Sequence, residues 1–231
     1  MTASDPESRK RAAALAGVDF VKDGMVVGLG TGSTAKHFVM ALGEKVKRGL
    51  HVRAVCTSHE TASLAAGCGI AVIDEDRWTI DIAFDGADQV DSSFNLIKGG
   101  GGALLKEKIV AASAKQFIVL VDHTKRVSVL GGSFPLPVEV VTFGWGSTAR
   151  QIELLAQSRV ALRERGGAPF TTESGNLIVD VHVARIDRPD ALETALHHIP
   201  GVVETGLFVG RTDVLIVGTP DGTETHNVKR T

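Results

Sequence analysis

Over its first 120 residues the chain alternates short apolar runs with helical patterns, and no other feature narrows its possible folds as far. Met25–Leu29, Val52–Cys56, Ile70–Ile73, Ile80–Phe84 and Phe117–Val121 read as strands. Helical patterns cover Arg9–Val21 and Ser33–Val46, and Ser58 is placed to cap a helix carrying Thr61 to Ala66. Such uniformly apolar strands leave no face for water, and the helices between them serve as crossover connections. The expected architecture is α/β, with a parallel sheet covered on both faces. Ligands of such sheets bind beyond the carboxyl ends of the strands. Four polar clusters follow strand ends: Gly30–Thr34, Thr57–Thr61, Asp85–Asp91 and Asp122–Lys125. Their convergence on one edge points to a site.

The pattern changes after Gly131-Gly132. Phe134–Val141 contains two prolines, which cannot donate to a sheet ladder, so it reads as an entry segment or edge strand. A helix from Ser147 to Gln157, strands at Val160–Arg163 and Leu177–Val183, and a helix at Pro189–His198 follow. A last pair of strands covers Val202–Val209 and Asp213–Val217, the second returning to the main sheet. The expected division is a main domain of 1–131 plus 208–231, with a small α+β domain at 132–207 that serves oligomerisation. Trp145 reads as an anchor of that domain, and the polar tail from Asp221 as a fraying end.

The formal net charge of -2 over 231 residues leaves no electrostatic footprint for nucleic acid or an anionic membrane. No apolar run nears the roughly 18 residues a membrane span needs, and Met1–Glu7 lacks a signal-peptide hydrophobic region. Cys56 and Cys68 stand in no metal-ligand spacing and read as buried thiols of a reducing cytoplasm.

Three motifs carry chemistry. Gly28-Leu29-Gly30-Thr31-Gly32-Ser33-Thr34 lacks the P-loop lysine and has the wrong glycine spacing for a dinucleotide fingerprint. It suits a single phosphate, held by Thr31, Gly32, Ser33 and Thr34, or else a tight turn with a capping serine. Asp85-Gly86-Ala87-Asp88 closes a strand with two carboxylates, suited to acid–base work, a metal or a structural turn; with no histidine nearby, metal is the weakest of these. Lys98-Gly99-Gly100-Gly101-Gly102 is entropically costly to order, and a helix begins directly after it. An open glycine loop under a helix N-terminus is an anion site. Glu107 then falls one turn into the helix, on the face of Ala103, Leu104, Val110 and Ala111. Desolvation there raises a carboxylate's pKa toward that of a general base, unless the side chain is a surface glutamate paired with a lysine. Lys98 and Lys125 are placed to hold phosphate or stabilise an enediolate, unless they are solvated surface lysines. The histidines, including His37, read as structural, and no serine has a base partner.

Taken in order, these motifs resemble the type A ribose-5-phosphate isomerase family, together with Phe134-Pro135-Leu136-Pro137-Val138-Glu139-Val140 and Gly218-Thr219-Pro220-Asp221-Gly222. The resemblance runs from about Arg9 to Gly222. It implies a Rossmann-like main domain, a ferredoxin-like second domain, assembly as homodimers or homotetramers, and no metal or organic cofactor. It implies that Glu107 moves a proton between C2 and C1 of a sugar phosphate, assisted by Asp85, Asp88 and Lys98. It places substrate against Thr31 to Thr34, Asp85 to Asp88, Lys98 to Gly101 and Lys125, with Lys10 near the phosphate. Two departures stand out: Gln89 where the family commonly has an acid, and His59-Glu60 in the second loop. The rival readings are a sugar-phosphate sensor without a reaction, a phosphosugar deaminase and an acyl-CoA-handling transferase.

Overall fold

The computed structural model describes residues 5–73 and 77–228, so the polar stretch read at Met1–Ser4 lies outside the described residues. The chain divides into two compact units. Met1–Ala87, Lys106–Lys125 and Arg211–Thr231 form the first, and Asp88–Leu105 with Arg126–Gly210 form the second.

The first unit is built on seven strands: β1 (Val26–Leu29), β2 (Arg53–Cys56), β3 (Ala71–Val72), β4 (Ile82–Asp85), β5 (Phe117–Asp122), β6 (Val214–Thr219) and β7 (Gly222–Asn227). Their order across the sheet is β7-β6-β5-β4-β1-β2-β3. Every pairing is parallel except β6 with β7. Apart from the added β7, this is the Rossmann order, with its reversal between β1 and β4. On one face, α1 (Pro6–Val18), α2 (Ser33–Lys47) and α3 (His59–Gly67) cover Val27, Leu29, Phe84 and Leu120. Phe38 of α2 stacks on Phe84 with ring centroids 4.0 Å apart. On the other face, α4 (Leu104–Ser113) packs so closely that a Cβ at Gly28 would fall 2.5 Å from Val110 Cγ1.

Two expectations for this unit are corrected. Helix α1 starts at Pro6 rather than Arg9, because a proline in the first turn gives up an N–H that has no intrahelical partner anyway. The tail from Asp221 does not fray as far as it is described: Gly222–Asn227 pairs residue by residue with β6. Thr219-Pro220-Asp221-Gly222 is a hairpin turn, and alternating Thr223 and Thr225 suit an edge strand.

In the second unit the strands Leu136–Val140, Val160–Leu162, Leu177–Val181 and Val202–Thr205 form an antiparallel sheet. Helix α5 (Trp145–Ala156) follows the first strand and α6 (Pro189–His197) the third. Numbered along the chain, the strands lie in the order fourth, first, third, second, the ferredoxin-like arrangement. Trp145 packs against its core of Val138, Val140, Ile152 and Leu196. The Leu136–Val140 strand is therefore interior, not an edge. Gly206 N–H donates to Pro137 O at 2.7 Å, just where the flanking strand ends at Thr205. The missing proline N–H faces that end and costs little. Residues 88–105, expected in the main domain, belong to this unit, because Gln89–Val90 pairs with Leu96–Ile97 and the latter with Leu207–Phe208.

Candidate active site

Because β1, β2, β4, β5 and β6 run parallel, their carboxyl ends share one edge of the first unit. At the reversal between β1 and β4, Gly30 N–H donates to Phe84 O at 2.9 Å. Asp85, 3 % exposed, lies so close that a Cβ on Gly30 would sit 2.0 Å from its Cγ. Asp85 Oδ1 accepts from Gly86 N–H at 2.7 Å, and Ala87 ends this stretch of the unit. Thr31 Oγ1 meets Thr57 Oγ1 at 2.7 Å and Ser58 Oγ at 2.9 Å, and Thr61 Oγ1 donates to Gly30 O at 3.0 Å. Ser58 also caps α3 through Thr61 N–H, as its position predicts. These hydroxyls hold the glycine turn from beneath. Gly32, at φ +115°, is the N-cap of α2 and has no side chain with which to cap that helix. Its first turn, with Ser33 exposed and Thr34 buried, is thus available to an anion.

Glu107 lies in the first turn of α4 and is 4 % exposed, its helix neighbours Val110 and Ala111 buried. After β5, Asp122 Oδ1 accepts from Thr124 N–H at 3.0 Å and from the Thr124 hydroxyl, folding the 3-10 turn His123–Lys125. Lys125 comes from that turn and is partly buried. At β6 a Cβ on Gly218 would fall 2.0 Å from Arg9 O, so the start of α1 lies against the carboxyl end of β6. Lys10 Nζ there donates to Glu7 Oε1 at 2.6 Å, while Glu7 Oε2 bonds His37 Nε2 at 2.9 Å. The Lys10 and His37 hydrogen bonds hold the Glu7 carboxyl below its usual range. His37, read as structural, thus shares a carboxylate with Lys10. Only the packing of α1 on α2 reveals that link.

The second unit gathers the remaining candidates. Asp88 N–H donates to Ile97 O at 2.8 Å, and Asp88 Oδ2 accepts from Gly100 N–H at 2.9 Å. Lys98 is 3 % exposed, with Nζ 5.4 Å from the Phe208 ring centroid. Gly102 N–H donates to Gly99 O at 3.0 Å, so the glycine run is a single turn; both residues have positive φ. A Cβ at Gly100 would strike Asp88 Oδ1 at 2.9 Å and Phe134 Cζ at 3.0 Å, whereas one at Gly101 would meet nothing within 4 Å.

Both departures find partners. Gln89 donates to Gly131 O at 2.9 Å and accepts from Gly131 N–H at 2.8 Å, a pair of bonds a carboxylate cannot make. Glu60 pairs with Lys36 at 2.5 Å. The thiols are partly rather than fully buried, and burial pushes Cys56 up to about 11. Among the described residues no group of three or more His, Cys, Asp or Glu is placed to hold a metal ion, and no helix is long and apolar enough to cross a membrane.

The sheet order, the glycine turn at its reversal and the ferredoxin-like second unit define a Rossmann-like α/β protein with buried acids at its strand ends. A family model, "Ribose 5-phosphate isomerase A (phosphoriboisomerase A)", matches residues 53–222. A ribose-5-phosphate isomerase A of Parvibaculum lavamentivorans is 50% identical over 225 residues, 94% of this chain and 97% of that one. Another, from Gluconobacter oxydans, is 47% identical over 97% of this chain and 98% of that one. Among solved structures, ribose 5-phosphate isomerase A of Methanocaldococcus jannaschii is 42% identical with a TM-score of 0.91, covering 96% of this chain and 99% of that one. A D-ribose-5-phosphate isomerase in complex with phospho-erythronic acid is 40% identical with a TM-score of 0.93, over the same shares. The chain belongs to the ribose 5-phosphate isomerase A family, whose members are aldose–ketose isomerases.

Proposed function

We propose that this chain interconverts D-ribose 5-phosphate and D-ribulose 5-phosphate through a cis-enediolate, with Glu107 as the base. The observation that carries this reading is a buried carboxylate in the first turn of α4, on the same unit as Asp85 and the open N-terminus of α2. The phosphate takes the hydroxyls and N–H groups of Ser33 and Thr34, with Thr31 and Gly32 shaping the turn and Lys10 and Lys125 adding charge. Asp85 transfers a proton at the ring oxygen to open the furanose. Glu107 removes the C2 proton of the open aldose and returns it to C1. Asp88, Lys98 and the N–H groups of Gly99, Gly100 and Gly101 stabilise the enediolate and move the proton between its two oxygens. Donors of this kind are worth roughly 3–4 kcal/mol of barrier each. Assembly as a homodimer or homotetramer and residence in the cytoplasm belong to the same reading.

Turnover of ribose 5-phosphate by the purified chain, with EDTA present and beside Glu107→Gln, tests the reading. Wild-type turnover is expected to survive chelation. The variant is expected to lose about 10²–10⁴-fold in kcat with KM within a few-fold, because a general base acts only in the transition state. An inactive wild type that still binds the sugar phosphate overturns the reaction, and an active variant removes Glu107 from it.

A further inference from the structure

The glycine run is gripped by a side chain that has so far had no role. Arg163 Nη1 donates to Gly99 O at 2.6 Å and reaches Gly100 O at 3.3 Å. The same guanidinium forks onto Asp180, Nε to Oδ2 at 2.9 Å and Nη2 to Oδ1. Asp180 is bracketed by Pro137 and Ala161 in the antiparallel sheet, so the anchor is rigid. Arg163 is itself fixed at the backbone: its N–H donates to Ile178 O and its carbonyl accepts from Phe170 N–H, each at 2.8 Å. The Phe170 ring closes against Gly102, where a Cβ would fall 2.4 Å from it. One short segment therefore holds both ends of the glycine turn.

In a trans peptide the C=O and N–H point in opposite directions. Turning the Gly99 and Gly100 carbonyls toward Arg163 turns the N–H groups of Gly100 and Gly101 away from it. The first meets Asp88 Oδ2, and the second belongs to Gly101, where a Cβ would meet nothing within 4 Å. Glycine peptides rotate readily, and a flip would replace a donor with an acceptor. A guanidinium against the carbonyls opposes that flip and polarises the amides, strengthening them as donors.

We propose that Arg163, anchored by Asp180, is a positioning residue for the isomerisation, locking the glycine peptides so that the Gly100 N–H holds Asp88 and the Gly101 N–H meets the charge developing on the sugar oxygens. The proposal rests on the reading above that this turn receives substrate.

The test uses the full chain, with Arg163→Gln and Arg163→Lys. It measures kcat and KM for ribose 5-phosphate and inhibition by phospho-erythronic acid and by inorganic phosphate. The planar anionic carboxylate of the acid imitates the plane and charge of an enediolate, whereas phosphate probes only the phosphate site. Arg163→Gln is expected to lose about 10–100-fold in kcat with KM within a few-fold, the scale of a misplaced reacting group. Affinity for the acid falls by a similar factor, and inhibition by phosphate is unchanged. Arg163→Lys keeps the charge but not the fork, so it falls between the two. If Arg163→Gln fails to melt cooperatively, the lysine variant carries the same test. Wild-type kcat and acid affinity in whichever variant folds overturn the proposal, as does equal weakening of both inhibitors. An inactive wild-type chain overturns the isomerase reading itself, a result separable from an active wild type beside an unimpaired variant.

Discussion

A methyl group at Gly30 would overlap the Asp85 carboxyl, so Gly30→Ala must push that carboxylate aside. Overpacking of this kind costs about 1–3 kcal/mol. The larger effect expected is on turnover, about 10²-fold in kcat, because Asp85 loses its place. Steady-state kinetics beside a thermal melt separates the two, and an unchanged kcat would take Asp85 out of the reaction. Ser33→Ala, by contrast, is expected mainly to raise KM, since Ser33 opens α2 where the phosphate is proposed to lie. A pure kcat loss there would put the phosphate elsewhere. These candidates were legible in the sequence because glycines and acids at strand ends have few structural excuses. Arg163 was not, because its partners Gly99 and Asp180 meet it only through the fold. Nor was the tie from Lys10 through Glu7 to His37, although the spacing of Glu7 and Lys10 on one helix was visible.

At the scale of elements, acids stand at both ends of the parallel strands and do different work. Asp85 and Asp122 close the carboxyl ends, while Asp81 and Asp213 sit before β4 and β6 and fasten their neighbours. Asp81 Oδ2 accepts from Val26 N–H at 2.9 Å and Oδ1 from Lys115 Nζ at 2.7 Å, joining the starts of β1, β4 and β5. Asp213 Oδ2 accepts from Phe117 N–H at 2.7 Å. The Lys115 hydrogen bond, then that of Val26, holds the Asp81 carboxyl below its usual range. A depressed carboxylate stabilises the fold above its unfolded pKa of about 3.9, and that contribution is lost as pH falls through the lower folded value. Asp81→Asn is therefore expected to melt earlier than the wild type at pH 7, with the gap closing below about pH 4. Melts across pH 3–7 check this, and a constant gap would refute it. The strands were readable because buried parallel strands are unbroken apolar runs. Gly222–Asn227 was not, since its alternating threonines and charges look like a tail until β6 is in place. The Leu136–Val140 strand was misplaced because the rule against proline holds only where a partner needs the N–H.

Over the whole molecule, the chain passes between its two units at Ala87/Asp88, Leu105/Lys106, Lys125/Arg126 and Gly210/Arg211. No composition shift marks the first two passages, because two-residue strands such as Leu96–Ile97 carry no periodicity and their partner Leu207–Phe208 lies far along the chain. That interleaving also sets an order in time. Strand β6 lies beside β5 although Phe117 and its partner Asp213 are 96 residues apart, so a ribosome makes the proposed catalytic residues well before the sheet can close. Until then β5, with Ile118, Val119 and Leu120, presents an open apolar edge to other nascent chains. A chain ending at Gly210 is expected to aggregate or to lack a cooperative melt by circular dichroism, and a soluble, cooperatively melting product would show that β6 and β7 are dispensable. The vulnerable interval therefore runs from the synthesis of β5 to that of β6, when a delay in translation leaves an unpaired strand exposed to the aggregation that the closed sheet prevents.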